Sequence, residues 1–227
     1  GMPSGVVMAA YGMAESTLAI SFNRHVTADG GITADAETFR ATGSVVPPTD
    51  DAISLAFVNC GKPFPGHGLA IMDSEDHLLE DGQEGEIVLR GPSVTSGYWQ
   101  NAEATAQVYR DGWLHTGDLG FLHNGDVYIT GRCKDLIILN GRNHHPQTIE
   151  GAVAEVEGVR RGNVVAFSRP GRESEELIVV VEAKEGAGPE VAEAVKRAVA
   201  DQLSLKVVEV VTLRAGTLPK TSSGKLQ

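Results

Sequence analysis

Short apolar or alternating runs, separated by turn dipeptides, fill residues 57–130, and this pattern is typical of β-strands. The clearest runs are residues 69–72, 85–90 and 126–130. Asn124-Gly125 lies between two such runs and predicts a hairpin turn. Residues 101–109 have the clear helical pattern of this stretch, with Glu103 in the first turn. We therefore predict a small barrel-like or sandwich-like β region.

The residues before this region are less regular. Residues 6–22 mix apolar residues around Tyr-Gly-Met-Ala-Glu and predict a strand that leads into a short helix. Residues 23–56 contain many turn formers and little sustained periodicity. We predict that they form an irregular excursion with one short helix at residues 33–40.

After Gly131 the pattern changes to an alternation of helices and strands. Pro146 is predicted to start a helix that runs to about Glu157, and Pro189 starts a second one whose apolar residues recur every four positions. Strands are predicted at residues 135–139, 163–168, 176–183 and 206–213. The order α-β-β-α-β suits a small sheet covered by two helices. The fold class of the whole chain is therefore predicted to be mixed α+β.

Composition and charge narrow the class of protein. Of the 227 residues, 41% are hydrophobic and 22% are charged, which is ordinary for a globular protein. The net charge of −11 argues against nonspecific binding to nucleic acid or to anionic membranes. No apolar run approaches the roughly 18–20 residues of a membrane-spanning helix, and no signal peptide opens the chain. Cys60 and Cys133 show no metal-ligand pattern, so we expect buried or idle thiols in a reducing cytoplasm.

The charge is unevenly distributed along the chain. Residues 1–134 carry 17 acidic and 7 basic side chains, whereas residues 135–227 carry 13 and 12. The change coincides with the change in hydrophobic pattern. We therefore predict two domains, residues 1–133 and residues 134–227.

Two short segments of the first domain carry candidate chemistry. Tyr11-Gly12-Met13-Ala14-Glu15 offers an aromatic face, a flexible glycine and a carboxylate, a set that suits base stacking and Mg²⁺ binding. A core tyrosine with a helix-capping glutamate is the alternative. Thr116-Gly117-Asp118 puts a carboxylate after a glycine in a predicted turn. Such an aspartate either accepts both hydrogens of a ribose diol or forms a local Asx-turn.

Two further segments carry basic residues. Gly131-Arg132-Cys133-Lys134-Asp135 lies where the charge balance changes, and it offers either an arginine for a nucleotide and a hinge or a solvated linker with weak ion pairs. Pro219-Lys220-Thr221-Ser222-Ser223-Gly224-Lys225 presents Lys225 from a flexible loop, either to an oxyanion or phosphate or as an inert tail. It is not a phosphate loop, because the GxxxxGK[ST] spacing is absent.

Four histidines could suggest a metal site, but their spacing fits no compact set of metal ligands. They are His115, His123, His144 and His145. We interpret them as surface or turn residues.

The order and spacing of the four segments resemble those of the adenylate-forming superfamily of acyl-CoA synthetases, peptide-synthetase adenylation domains and luciferases, over essentially the whole chain. The resemblance implies that residues 1–133 are the β-rich C-terminal part of a large N-terminal adenylation domain and that residues 134–227 are a small α+β C-terminal lid domain. Within the first, residues 23–56 would be an insertion-like segment and residues 57–130 a β subdomain. The family's phosphate loop has no counterpart here, so we expect this chain alone to lack adenylation activity.

The resemblance also implies ATP and Mg²⁺ as cofactors and assigns the residues that bind them. Glu15 corresponds to the family's Mg²⁺-linked glutamate. Tyr11 and Gly12 correspond to the aromatic segment beside the nucleotide. Asp118 corresponds to the ribose-binding aspartate, and Arg132 to the arginine that contacts the nucleotide near the ribose.

Two lysines correspond to residues that act in catalysis and domain motion. Lys134 takes the position of the hinge about which the family's lid domain rotates between half-reactions. Lys225 takes the position of the catalytic lysine that bridges the substrate carboxylate and the α-phosphate, where its charge favours the transition state.

Two features resemble the fatty acyl-AMP ligase branch of the superfamily. Residues 141–150 read Gly-Arg-Asn-His-His-Pro-Gln-Thr-Ile-Glu, similar to that branch's Gly-Arg-Asn-His-Tyr-Pro-Gln-Asp-Ile-Glu with His145 and Thr148 as the differences. In addition, 50 positions separate Tyr11 from Gly61, more than is usual in CoA ligases of the superfamily. The excess falls in residues 23–56, where this branch carries an insertion that hinders the domain motion used for CoA thiolation.

The resemblance therefore implies that a fatty acid and ATP give acyl-AMP and pyrophosphate. The acyl group then passes to an acyl carrier protein or to a carrier domain of a polyketide or peptide synthase. A fatty acyl-CoA ligase, with CoA as the acceptor, is the first alternative. A noncatalytic module that keeps the fold but needs a partner chain is the second.

Overall fold

The structure is a computed structural model, and it describes residues 7–23, 30–139, 142–171, 175–222 and 226. The chain divides into two compact units, Gly1–Lys134 and Asp135–Gln227. The first unit contains the strands β1 (Ala10–Tyr11), β2 (Ser21–Phe22), β3 (Gly31–Asp35), β4 (Ser54–Val58), β5 (Lys62–Pro63), β6 (Gly68–Met72), β7 (Gly85–Arg90), β8 (Tyr109–Arg110), β9 (Trp113–His123) and β10 (Asp126–Arg132), and the helices α1 (Ala36–Thr42) and α2 (Ala102–Val108). The second unit contains the strands β11 (Ile137–Leu139), β12 (Arg142–His144), β13 (Val159–Pro170), β14 (Glu175–Ala183) and β15 (Val207–Leu213), and the helices α3 (Pro146–Ala154) and α4 (Glu190–Leu203).

A five-stranded antiparallel sheet forms the centre of the first unit. Its order is β10-β9-β7-β6, and the short β8 also pairs with β9. Three strands of this sheet, β6, β7 and β9, supply buried side chains to the unit's main core, including Ile71, Ile87 and Leu114. Strands β1, β2 and β5 form a separate three-stranded sheet. Its Tyr11, and Ile20 directly before β2, reach the same core.

The predicted hairpin at Asn124-Gly125 is confirmed. His123 at the end of β9 pairs with Asp126 at the start of β10, so the turn has two residues. Both turn residues have positive φ, 53° for Asn124 and 80° for Gly125. A two-residue turn of this kind needs positive φ at both positions, which is why asparagine and glycine favour it.

The predicted helix at residues 101–109 is also confirmed, as α2. Its N-cap is Asn101, whose side-chain oxygen accepts a hydrogen bond from the backbone N–H of Ala104 at 3.0 Å. The cap satisfies one of the N–H groups that every helix start leaves without an internal partner.

Within residues 30–56 the chain is more regular than predicted. Strand β3 pairs with β4 along its whole length, and α1 between them begins at Ala36 rather than at residue 33. Phe39 of α1 packs against the rings of Phe57 and Phe121 in a small aromatic core. The alternation within β3 is only five residues long, and its partner strand follows the helix, so a short sequence window does not reveal the pairing.

The second unit has the predicted order α-β-β-α-β. Its sheet is β13-β14-β15, with β13 and β14 antiparallel and β14 and β15 parallel. Helix α4 connects the two parallel strands, and its Val191, Val195 and Val199 are buried against the sheet, as their spacing predicts. Helix α3 ends at Ala154, earlier than predicted. The predicted turn at Asn140-Gly141 lies outside the described residues.

Together the two units confirm the mixed α+β class. In the part of the chain that the structure describes, no helix is long and apolar enough to cross a membrane.

Candidate nucleotide site

Three of the predicted site residues of the first unit meet at one carboxylate. The hydroxyl of Tyr11 donates a hydrogen bond to Oδ2 of Asp118 at 2.8 Å, and Nε of Arg132 donates to Oδ1 at 2.8 Å. The side chain of Asp118 is 11% exposed and that of Arg132 is 50% exposed. The carboxylate is therefore fixed from two sides, and the guanidinium beside it remains open to solvent.

The hydrogen-bonding state of this cluster follows from the electrostatics. Burial, followed by the neighbouring charge of Asp118, raises the pKa of the Tyr11 phenol far above its ordinary value, so Tyr11 stays a donor at neutral pH. Two carboxylate oxygens have about four acceptor sites, of which Tyr11 and Arg132 occupy two. Asp118 thus keeps the capacity to accept further hydrogen bonds, as a ribose diol requires.

Asp118 lies on a β-bulge and not in the turn that the sequence predicts. It belongs to the continuous strand β9, and the register between β7 and β9 shifts at this point. Gly117, before it, has φ of 70°, a backbone conformation that glycine adopts without strain. The backbone N–H of Asp118 donates to Oγ1 of Thr116 at 3.0 Å. The sequence of this segment resembles that of a turn because bulges, like many turns, contain a glycine with positive φ.

The fold leaves no room for a side chain at Gly12. A Cβ on this residue would lie 1.9 Å from the carbonyl oxygen of Leu18. The backbone comes this close because Ile20 donates its N–H to the carbonyl of Tyr11 at 2.8 Å, which folds β2 back on β1. The glycine of the Tyr-Gly-x-x-Glu segment therefore allows the strand that carries Tyr11 to pack.

Glu15 lies in the 3₁₀ turn Ala14–Ser16 and takes no part in the Tyr11–Asp118 hydrogen bond. Its Oε1 accepts a hydrogen bond from the hydroxyl of Tyr98 at 2.8 Å, and its backbone carbonyl accepts from the N–H of Thr95 at 2.7 Å. The bond to Glu15 raises the pKa of the Tyr98 phenol, which keeps it protonated. No donor among the described residues reaches Oε2. One open carboxylate oxygen fits Mg²⁺, which proteins hold through one or two carboxylates together with substrate phosphates.

Neither of the two predicted lysines is among the described residues that contact Asp118. Lys134 is exposed in the 3₁₀ turn Cys133–Asp135 and is the last residue of the first unit. The domain boundary predicted after residue 133 lies one residue before this division. Lys225 lies outside the described residues, so its placement stays a prediction.

The interpretation of the histidines as surface or turn residues is wrong for three of them. His115, His144 and His145 are buried, with 6–8% of their surface exposed. His115 is buried because its Nδ1 lies 2.8 Å from the Glu86 carboxylate, a partner distant in sequence. Among the residues that can be described, no group of three or more His, Cys, Asp or Glu could hold a metal ion.

Two residues beside the site were missed by the sequence interpretation, Glu86 and Tyr98. Glu86 is the one charged residue in the run from Gly85 to Leu89, which is otherwise apolar, and this was the available signal. Tyr98 sits in an irregular segment and has no comparable signal. Its contact with Glu15 spans 83 positions and appears only in the fold.

Comparisons with known proteins agree with this arrangement. Residues 2–99 match the family described as AMP-binding enzyme. Over its whole length the chain is 40% identical to a protein of Caulobacter vibrioides (strain NA1000 / CB15N) named "Putative acyl-CoA synthetase", and it covers 40% of that protein. It is 36% identical, over 96% of its length, to the medium-chain-fatty-acid–[acyl-carrier-protein] ligase JamA of Moorena producens (strain JHB), of which it also covers 40%.

Comparison of the fold with solved structures also finds fatty acyl-adenylate ligases. A solved structure from a study of fatty acyl-adenylate ligases from E. coli and L. pneumophila matches 99% of this chain with a TM-score of 0.87 and 31% identity, and the chain covers 40% of it. The chain thus spans about two fifths of the length of the relatives that it matches. The family match over residues 2–99, the relatives and the common fold show that this chain is similar to AMP-binding, adenylate-forming enzymes and, among them, to fatty acyl-AMP ligases.

Proposed function

We propose that this chain contributes the ribose-binding residues, a Mg²⁺ ligand and the catalytic lysine of an ATP-dependent ligase that adenylates fatty acids. The observation that carries the proposal is the buried carboxylate of Asp118, held between Tyr11 and Arg132 in a chain whose residues 2–99 match the AMP-binding enzyme family. The reaction joins a fatty acid to AMP and releases pyrophosphate. A cytoplasmic location is part of the same proposal.

In this reaction Asp118 accepts hydrogen bonds from the ribose hydroxyls, because Tyr11 and Arg132 leave part of its acceptor capacity unused. Holding the ribose fixes the α-phosphate relative to the attacking carboxylate, and such positioning lowers the barrier by removing orientational freedom. Arg132, half exposed beside Asp118, contacts the nucleotide next to the ribose.

Glu15 would hold Mg²⁺ through its open carboxylate oxygen. When bound, the cation neutralises phosphate charge. Lys225 would contact both the substrate carboxylate and the α-phosphate, where an ammonium stabilises the charge of the transition state. Lys134, at the end of the first unit, would act as the hinge for the second.

For the acyl acceptor we propose an acyl carrier protein or a carrier domain. Support comes from the relative JamA, which is named as a ligase of medium-chain fatty acids and an acyl carrier protein. The hairpin β3–β4 with α1 in residues 23–56 gives the insertion-like segment a defined structure. A packed insertion of this kind is compatible with a restricted domain rotation.

The nucleotide part of the proposal is tested by measuring AMP binding to the 227-residue chain by calorimetry or by NMR titration. Hydrogen bonds to a charged group contribute about 1.5–3 kcal/mol, so Asp118→Asn should weaken AMP binding by about tenfold or more. Asp111→Asn is the matched control. Asp111 is exposed in the turn between β8 and β9, and asparagine accepts its positive φ of 48°. Equal affinities of the wild type and Asp118→Asn would contradict the proposal, as would a wild type that does not bind AMP.

The second candidate function is that of a fatty acyl-CoA ligase, favoured by the relative from Caulobacter vibrioides. The two candidate functions are distinguished with a chimera that joins this chain to the part of that relative that the chain does not match. The chimera is supplied with ATP and a fatty acid, and acyl transfer to a carrier protein is compared with transfer to CoA. Lys225→Ala should abolish formation of acyl-AMP in either case. Preferred transfer to CoA would decide for the second candidate.

A further inference from the structure

Glu86 of β7 lies beside the bulge that presents Asp118. Glu86 pairs with Leu119 of β9, and Val88 pairs with His115. Residues 116–118 therefore lie opposite the single residue Ile87, and the regular hydrogen-bond ladder between the two strands is broken there.

Side chains replace the missing ladder bonds. Oε1 of Glu86 accepts the backbone N–H of Gly117 at 2.9 Å, and Oγ1 of Thr116 donates to the carbonyl of Ile87 at 2.7 Å. The bulge thus keeps its shape through two side chains that point into it. Both contacts connect the bulge to β7, and the contact of Glu86 is the one that holds the backbone of Gly117, directly before Asp118.

The Glu86 carboxylate is itself held in place. Its Oε2 lies 2.8 Å from Nδ1 of the buried His115 and 3.5 Å from a guanidinium nitrogen of Arg110. Arg110 also pairs with Asp76 at 3.1 Å. Only 20% of the Glu86 side chain is exposed. A carboxylate with fixed partners on both oxygens cannot turn away from Gly117 without leaving buried donors unpaired, which is costly.

We propose that Glu86 is a positioning residue for nucleotide binding: through the Gly117 N–H it holds the bulge that directs the Asp118 carboxylate towards the ribose. Glu86 does not touch the ribose. The inference rests on the proposed ribose-binding role of Asp118. Tyr11 and Arg132 fix the end of the Asp118 side chain, whereas Glu86 fixes the backbone of the preceding Gly117. Both kinds of contact are needed to define the direction of the carboxylate.

The test measures discrimination between a ribose with and without its hydroxyls. The probes are AMP and 2′,3′-dideoxyadenosine monophosphate, and the readout is the ratio of their dissociation constants for the 227-residue chain. The wild-type ratio should be on the order of ten or more. Glu86→Ala should bring the ratio close to one. Glu86→Gln should restore it, because the amide oxygen still accepts the Gly117 N–H.

Two further variants complete the design. Glu86→Asp keeps the charge but is one methylene shorter, so it should also lower the ratio, and it serves if Glu86→Ala does not fold. Glu80→Ala is the control, since Glu80 is an exposed glutamate of the same unit. Its ratio should equal that of the wild type.

A measurement without nucleotide tests the same contact. In native-state hydrogen exchange, Glu86→Ala should speed exchange at the amides of Gly117 and Asp118 and leave that of Ile71 in β6 unchanged. Unchanged exchange at Gly117 would overturn the inference whether or not the chain binds AMP.

The outcomes separate this inference from the proposed function. If Asp118→Asn leaves the ratio unchanged, the ribose-binding role of Asp118 fails. If Asp118→Asn brings the ratio to one while Glu86→Ala leaves it at the wild-type value, the ribose site stands and the positioning role of Glu86 is overturned. Equal loss in Glu86→Ala and Glu86→Gln would also overturn it, because the contact with Gly117 would then not be the cause.

Discussion

At the scale of single residues, the site depends on positions where the backbone leaves no choice of side chain. Gly12 is the clearest, because the carbonyl oxygen of Leu18 occupies the space of a Cβ. Gly117 differs, since nothing lies within 4 Å of its Cβ position and only its φ of 70° requires glycine. The two glycines of the nucleotide site thus have separate physical reasons.

Gly12→Ala should destabilise the first unit by about 1–3 kcal/mol, because the new methyl group forces β1 and β2 apart. The measurement is urea denaturation followed by tryptophan fluorescence, since both tryptophans, Trp99 and Trp113, lie in this unit.

The matched control for this substitution is Gly151→Ala in α3. Nothing lies within 4 Å of the Cβ position of Gly151, and its φ is not positive. Alanine is the better helix former, so Gly151→Ala should stabilise the second unit by about 0.5–1 kcal/mol, as followed by hydrogen exchange at α3 amides. Stabilisation by Gly12→Ala would contradict the close approach at Leu18.

Cys133, beside Arg132, should be a slow nucleophile although the residue as a whole is exposed. Partial burial of its thiol, followed by the charge of Glu86, raises the pKa of that thiol to about 11. The thiolate is the reactive form, so alkylation by iodoacetamide should rise roughly tenfold per pH unit from pH 8 to 10. Mass spectrometry of the labelled peptide gives the rate, with N-acetylcysteine in the same tube as the control. A plateau of the Cys133 rate near pH 9 would contradict this prediction.

At the scale of elements, side chains complete hydrogen bonding where strands depart from regular pairing. Glu86 does so between β7 and β9, and Glu182 does so in the second unit. Glu182 is fully buried on β14, where its carboxylate accepts the N–H of Leu218 at 2.9 Å and a hydrogen bond from Arg160 at 2.7 Å. It thereby fixes the segment after β15 and the start of β13 to the central strand.

Glu182 should make the second unit sensitive to acid. Backbone N–H groups of Gly216 and Leu218, and then Arg160, lower the pKa of its carboxyl to about 2. A group whose pKa is lower in the folded state stabilises the fold above its unfolded pKa of about 4.3, and this contribution is lost as the pH falls towards 2. Glu182→Gln should therefore be less stable than the wild type at pH 6, and the difference should shrink between pH 4.5 and pH 2.

Urea denaturation at several pH values, followed by circular dichroism, measures this difference. The exposed Glu185 provides the control, because Glu185→Gln should give a small difference that does not change with pH. A difference for Glu182→Gln that stays constant from pH 6 to pH 2.5 would show that the charge of Glu182 is not responsible.

At the scale of the whole molecule, the chain consists of two units, each with its own core. The core of the second unit is formed by β11, α3, β13, β14, α4 and β15, with Val153, Val179 and Val195 fully buried. Residues 135–227 include every element of this core. A unit that buries its own apolar residues can fold by itself.

We therefore expect residues 135–227, expressed alone, to unfold cooperatively in urea and to give a dispersed NMR spectrum. Val195→Asp is the control that should abolish the transition, because it puts a charge into the core. A gradual, noncooperative loss of circular dichroism by the wild-type segment would contradict an independent core.

The sequence by itself determined the features that depend on neighbouring residues. The hairpin at Asn124-Gly125, the cap of α2 at Asn101 and the buried face of α4 follow from local backbone preferences and from helical spacing. The order of the motifs was also enough to indicate the superfamily, since order and spacing are properties of the sequence alone.

The tertiary structure alone decided which distant residues meet. Tyr11 and Asp118 are 107 positions apart, and β3 finds its partner only after α1. The bulge at Asp118 and its support by Glu86 depend on how β7 and β9 align, and that register is fixed by the packing of the whole sheet. A short window of sequence contains local preferences but not the long-range contacts that select one pairing, and for this reason the contacts between the site residues became visible only in the fold.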